Sequence, residues 1–239
     1  MPDRYGPRGV FAIMIPQQNS VQQPEYEAMR PQGVSNQIYR FELASQDDVA
    51  AAVLRAIPGA HGCWPDMIIG GNSLEMRNWS LERQARYREE LLEQARDVPI
   101  VNATDATEAA LRKVGARRIG IFLPLYDETL RSARGYWEAV GFEVPYSTCL
   151  GVEHPRFSIN IELPQVEAAF EAIDHDDVDT LLHVGGSIGI GDMIEPLEKK
   201  FGKPVLSVNQ AAYWYALRTY GVTDPIPGFG QLLLETSIT

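Results

Sequence analysis

Neutral polar residues collect just behind the short apolar runs of this chain. Gln17, Gln18, Asn19 and Ser20 follow the first run; Gly71, Asn72 and Ser73 follow the third; Tyr126 follows the run ending at Pro124. Gly185, Gly186 and Ser187 follow the run ending at Val184, and Asn209 follows Val208. Side chains of this kind are hydrogen-bond donors without charge, and the neighbouring glycines bare their backbone N–H groups. Such donors at loop-to-helix junctions bind anions, and a carboxylate is the natural guest. Each residue also has a purely structural use. The Gly70-Gly71 and Gly185-Gly186 pairs suit tight strand-to-helix turns, and Asn72, Ser73 and Asn209 suit helix N-caps. Asn19 suits a turn, and Tyr126 suits the core. Their joint appearance at corresponding ends of two halves raises the binding role.

Other constellations fall short. The glycine-rich stretch Gly185–Gly191 has neither the GxGxxG frame of a first βα unit nor the Lys-Ser/Thr of a phosphate loop. His61, His154, His175 and His183 show no metal-ligand spacing, and His183 sits inside an apolar run, as a core or interface histidine would. Cys63 and Cys149 make no framework and no zinc site. Asp174, Asp176 and Asp177 read as a solvated turn. Neither a metal nor a cofactor is expected. Trp64, Trp79, Tyr213 and Trp214 are candidates for an aryl pocket or for ordinary core packing.

The elements that must position these residues alternate. Apolar runs at Val10–Ile15, Gln37–Leu43, Asp66–Ile69, Pro99–Val101, Arg118–Leu123, Phe142–Tyr146, Asp179–Val184 and Pro204–Val208 read as strands buried on both faces of parallel sheets. Between them lie helix patterns. One runs over Val49–Ile57, opened by Ser45–Asp48 and stopped by Pro58-Gly59. Others run over Leu81–Arg96 behind Ser80, Asp105–Val114 behind Thr104, and Asp127–Val140. The last three run from Pro164 to Ile173, Asp192 to Phe201 and Asn209 to Tyr220. The order repeats once. The expected architecture is therefore α/β: two similar lobes, residues 1–116 and 117–239, with the last helix free to return to the first lobe. Strand C-terminal ends would face an interlobe cleft, where ligands of open α/β sheets bind.

Composition sets outer bounds. The chain has 239 residues, 45% of them hydrophobic and 22% charged, which is ordinary globular composition. Its net charge of −11 disfavours nucleic-acid partners. No apolar run nears the roughly 18–20 residues of a membrane span. The N-terminal run, closed by Pro16, reads as a buried strand rather than a signal peptide. A reducing, cytoplasmic setting is the expectation, and a homo-oligomer is compatible with the sequence.

Five segments, in order, resemble one family. They are Ile15–Ser20, Gly71–Leu74, Pro124–Glu128, Leu182–Gly186 and Lys203–Ala211. Together they look like the aspartate/glutamate racemase superfamily, within its arylmalonate decarboxylase and maleate cis–trans isomerase branch. The resemblance implies two pseudo-symmetric Rossmann-like lobes around a cofactor-free site. It also implies that Asn72, Ser73, Tyr126 and the backbone of Gly185-Gly186 cradle one carboxylate, with Asn19 and Asn209 at the rim or on a second one. The chain departs from the family at its two cysteines, which would fall at Gly71 and Val184. The decarboxylases also have glycine at the first position but keep the second cysteine as proton donor.

The function expected from this resemblance is a cofactor-independent lyase or isomerase of a small carboxylic acid. Arylmalonate-type decarboxylation comes first, with Ser73, Tyr126 and Ser187 in the catalytic apparatus. A maleate isomerase or racemase with displaced catalytic residues is one alternative. A carboxylate-binding protein without catalysis is the other.

Overall fold

The computed structural model describes residues 4–43, 48–70 and 75–238. Gly71, Asn72 and Ser73, together with Ser45, Gln46 and Asp47 of the expected helix opening, lie outside the described residues.

The first half contributes β1 (Val10–Pro16), α1 (Gln22–Ala28), β2 (Ser35–Phe41), α2 (Val49–Ala60), β3 (Met67–Ile69), α3 (Leu81–Ala95), β4 (Ile100–Val101) and α4 (Ala103–Lys113). The second contributes β5 (Arg118–Leu123), α5 (Asp127–Ala139), β6 (Glu143–Cys149), α6 (Leu163–Glu171), β7 (Thr180–His183), α7 (Ile194–Phe201), β8 (Val205–Ser207) and α8 (Val208–Tyr220). Among the described residues the strands form two separate four-stranded sheets, ordered β2-β1-β3-β4 and β6-β5-β7-β8. Every pairing is parallel. The second order is the first shifted by four strands, so the repeat seen in the sequence is a repeat of topology. The central strands are buried along almost their whole length, as near-continuous apolar runs require. The edge strands β2 and β6 keep exposed or half-exposed positions, whereas β8, the other edge of the second sheet, is buried throughout.

Four local features differ from the sequence expectation. The helix α1 falls where only a loop is expected. Asn19 accepts the N–H groups of Val21 and Gln22 at 2.8 and 3.0 Å, which starts the turn. Gln22, Tyr26 and Met29 then bury one face at helical spacing. The expected stop at Pro58 lies inside α2, which continues to Ala60. Gly59 lets this last turn sit on the Tyr39 ring, where an added Cβ would come within 2.2 Å. Asn102, not Thr104, caps α4 through the N–H groups of Thr104 and Asp105. Ser207, not Asn209, caps α8 in a reciprocal pair with Gln210.

The last helix joins the halves. α8 follows a strand of the second sheet but packs against α1, α4 and β3. Its Tyr213 and Trp214 are fully buried, and Tyr213 stacks on Tyr26 of α1 with ring centroids 5.1 Å apart. Burying a large apolar side chain is worth about 1.5–3 kcal/mol, so this helix fixes one half against the other.

Candidate carboxylate site

A cavity opens where the C-terminal ends of the two sheets face each other. Pro16 closes β1 at its wall, and Leu123, Pro124 and Leu125 continue β5. Val184, Gly185, Gly186 and Ser187 continue β7, and Val208 and Asn209 follow β8. Gln18, Asn19, Gln22, Leu43, Ala103 and Pro155 complete the lining. Most of this wall is apolar. Among these residues none is Lys, Arg, His, Cys, Asp or Glu.

The polar part of the wall is built from neutral groups. Ala103 and Val208 are the first residues of α4 and α8, so the positive ends of two helix dipoles meet the cavity. The backbone N–H groups of Gly185, Gly186 and Ser187 have no hydrogen-bond partner among the described residues. Gly185 has φ +130°, open only to glycine without strain, and an added Cβ would meet Pro124 at 3.0 Å. Ser187 Oγ lies 3.0 Å from Oγ of the buried Ser158.

The structure distributes the sequence candidates unevenly. Asn19, Gly185, Gly186, Ser187 and Asn209 line the cavity. Tyr126 is the N-cap residue of α5, beside the lining residue Leu125, and is 43% exposed. Trp64 is 90% exposed and Trp214 is a core residue; none of the four aromatic candidates lines the cavity. Cys63 and Cys149 also lie outside the lining. Burial pushes both thiols above their ordinary pKa, and for Cys149 a hydrogen bond to Asp127 at 3.3 Å adds to it.

Two residues of the site escape a reading of the sequence. Asn209 donates to Glu25 Oε2 at 2.6 Å and to the Gly186 carbonyl at 3.3 Å, while its Oδ1 accepts from Gln22 at 3.1 Å. Asn19 donates to the same Gly186 carbonyl at 2.7 Å. Glu25 Oε1 accepts the N–H groups of Ile190 and Gly191, each at 2.8 Å. Burial pushes the Glu25 carboxyl above its ordinary pKa, against the downward pull of these donors. Gln22 and Glu25 sit on α1, the helix absent from the expected pattern. The signal that marks them is the i, i+4, i+7 spacing of Gln22, Tyr26 and Met29 behind Asn19.

Among the described residues no three His, Cys, Asp or Glu side chains are grouped to hold a metal ion. No helix among them is long and apolar enough to cross a membrane.

The chain has relatives among known proteins in both sequence and fold. The chain is 24% identical over 155 residues to the maleate isomerase of Alcaligenes faecalis, a match covering 63% of this chain and 60% of that relative's length. Its fold superposes on the Nocardia farcinica maleate cis–trans isomerase carrying a covalently bound succinylcysteine intermediate. The TM-score is 0.83 at 22% identity, over 94% of this chain and 97% of the other. It also superposes on unliganded arylmalonate decarboxylase, with TM-score 0.77 at 19% identity over 94% and 97% of the two chains. The family model for arylmalonate decarboxylase matches residues 70–233, and the chain belongs to the arylmalonate decarboxylase family.

Proposed function

We propose that this chain is a cofactor-independent decarboxylase of a malonate-type acid, a small dicarboxylate with both carboxyl groups on one carbon. One observation carries the reading. The cavity offers neutral donors and helix N-termini to an anion within an otherwise apolar wall, and no thiol lines it among the described residues.

The chemistry follows from the wall. One carboxylate binds the backbone N–H groups of Gly185, Gly186 and Ser187 and the dipole ends of α4 and α8. The bond from the central carbon to the second carboxylate breaks, carbon dioxide leaves, and the electron pair moves onto the retained carboxylate as an enediolate. Donors already aimed at those oxygens stabilise the added charge without reorganising. The apolar side chains favour loss of the unpaired carboxylate, because a charge without partners is costly there. A proton then adds to the central carbon. Ser187, backed by Ser158, orders the water that delivers it, since a serine hydroxyl is itself a weak acid near neutral pH. Ser73, Gly71 and Asn72 belong to this reading through their place after β3, and Tyr126 through its place beside Leu125.

Covalent isomerisation is the less supported chemistry. It needs a nucleophile, and the isomerase relative named above carries its intermediate on a cysteine. Here Val184 stands at the cavity wall.

The test is a panel of arylmalonates, alkylmalonates and maleate, followed by proton NMR and carbon dioxide release. Malonate turnover supports the proposal. Conversion of maleate to fumarate replaces it with isomerisation, and saturable binding without turnover replaces it with a binding role.

A further inference from the structure

The Gly186–Ser187 peptide is fastened from behind. Its carbonyl oxygen accepts the Asn19 amide at 2.7 Å and the Asn209 amide at 3.3 Å. Among the described residues no peptide bond is cis, and in a trans peptide C=O and N–H point opposite ways. Holding the carbonyl toward Asn19 and Asn209 therefore turns the Ser187 N–H away from them.

The orientation of Asn209 is itself set by a partner. An asparagine amide keeps its shape when turned over, and its neighbours decide which end donates. Glu25 decides here. Its Oε2 accepts the Asn209 amine at 2.6 Å. The Asn209 oxygen is left for Gln22 at 3.1 Å, and the second amine proton goes to Gly186. The other oxygen of Glu25 holds the N–H groups of Ile190 and Gly191, at the far end of the same loop. One carboxylate on α1 thus fixes both ends of the loop behind β7.

We propose that Glu25 is a positioning residue of the carboxylate site, setting Asn209 and the loop of residues 185–191 so that the Ser187 N–H is presented to the ligand. The role of that N–H rests on the carboxylate-binding reading of the cavity; the orientation of the peptide does not. Glu25 touches no ligand in this scheme and acts through Asn209 and the loop.

The decisive variant is Glu25→Gln. Its oxygen can keep Ile190 and Gly191, but its amine then meets the Asn209 amine. Asn209 must turn over, and it brings an acceptor against the Gly186 carbonyl. Crystal structures of wild type and variant, malonate affinity by calorimetry, and Tm are measured together. The expected result is a rotated Gly186–Ser187 peptide and a malonate Kd raised by about 10-fold or more, with Tm within a few degrees. An unmoved peptide with unchanged malonate affinity overturns the proposal, and so does a lower Tm alone. Should Glu25→Gln not fold, Asn209→Leu removes the same amide while leaving Glu25 its two backbone donors. A rotated peptide with weakened malonate binding then supports the proposal, and an unmoved one overturns it. If wild type binds no malonate, the carboxylate reading fails for that acid, and the peptide orientation in the variants still decides the role of Glu25.

Discussion

Asn19 and Asn209 meet on one atom. Their side chains come from opposite ends of the sequence, and both donate to the carbonyl oxygen of Gly186, at 2.7 and 3.3 Å. The contact ties the loop behind β1 to the loop behind β7, which are the two rims of the cavity. Each amide is also engaged elsewhere, Asn19 with the start of α1 and Asn209 with Glu25 and Gln22. These asparagines brace the site, and the groups they leave for a ligand are chiefly backbone N–H groups.

Gly186 has no room for a side chain at this meeting point. A Cβ would lie 2.6 Å from Asn209 Oδ1 and 2.9 Å from Gln22 Nε2. Gly186→Ala should therefore cost about 1–3 kcal/mol of stability, the usual range for overpacking, and weaken carboxylate binding in the protein that folds. Urea unfolding and malonate titration on the same sample check both effects. A variant as stable and as tightly binding as wild type would show that the network yields freely.

The two thiols should be bystanders. Both have pKa values raised by burial, and neither lines the cavity. The thiolate is the reactive form, so little of it is present near neutral pH. Replacing Cys63 and Cys149 by Ser together should leave turnover within a few fold, with a stability loss of roughly 1–2 kcal/mol. Inactivation by iodoacetamide that malonate prevents would contradict this.

His183 makes the fold acid-sensitive. It is fully buried, it stacks on Phe122 with centroids 4.9 Å apart, and neither ring nitrogen has a hydrogen-bond partner among the described residues. Burial pulls its pKa from 6.5 to about 3. The unfolded chain thus takes up a proton near pH 6.5 that the folded chain refuses until about pH 3. The resulting stability is present above pH 6.5 and is lost as pH falls toward 3. The loss is on the order of 5 kcal/mol at the acid end. His183→Leu, close in volume, should lie within about 1 kcal/mol of wild type at pH 7.5 and flatten the profile below it. Unfolding free energies from pH 7.5 down to pH 4 test this; parallel curves would assign the acid sensitivity elsewhere.

The sequence reveals the two sheets more fully than the site. The end of β5 at Leu123 is legible because buried parallel strands are near-continuous apolar runs, whereas β7 ends at His183, one residue before the expected Val184. Gly185, Gly186 and Ser187 are legible as the polar residues that interrupt such a run. Glu25 is not, because one carboxylate in a polar stretch looks solvated until α8 and the loop of residues 185–191 fold over it. Asn209 is found but takes a different local role. Ser207 caps α8, so the Asn209 side chain is free to cross to α1. Pairings between residues more than 160 apart, such as Glu25 with Ile190, leave no local pattern.

Val184 offers the most direct test of the proposed chemistry. It lines the cavity at the end of β7, next to the backbone donors of Gly185 and Gly186. The family resemblance implies that a cysteine stands here in the decarboxylases and delivers the proton. A cysteine is slightly smaller than valine, so Val184→Cys should fold without strain and place an acidic S–H on the cavity wall. If carbanion formation already occurs and protonation limits the rate, the thiol should raise malonate turnover by about 10²–10⁴-fold, the usual worth of a positioned acid. The gain should fall away as the new thiol ionises at alkaline pH, and it should vanish on alkylation. Carbon dioxide release by wild type and Val184→Cys across pH 6–10, with iodoacetamide controls, gives the answer. A folded, malonate-binding Val184→Cys with no gain would mean that protonation is not limiting or that the carbon sits elsewhere. A gain that survives alkylation would mean that volume, not the thiol, changed the site.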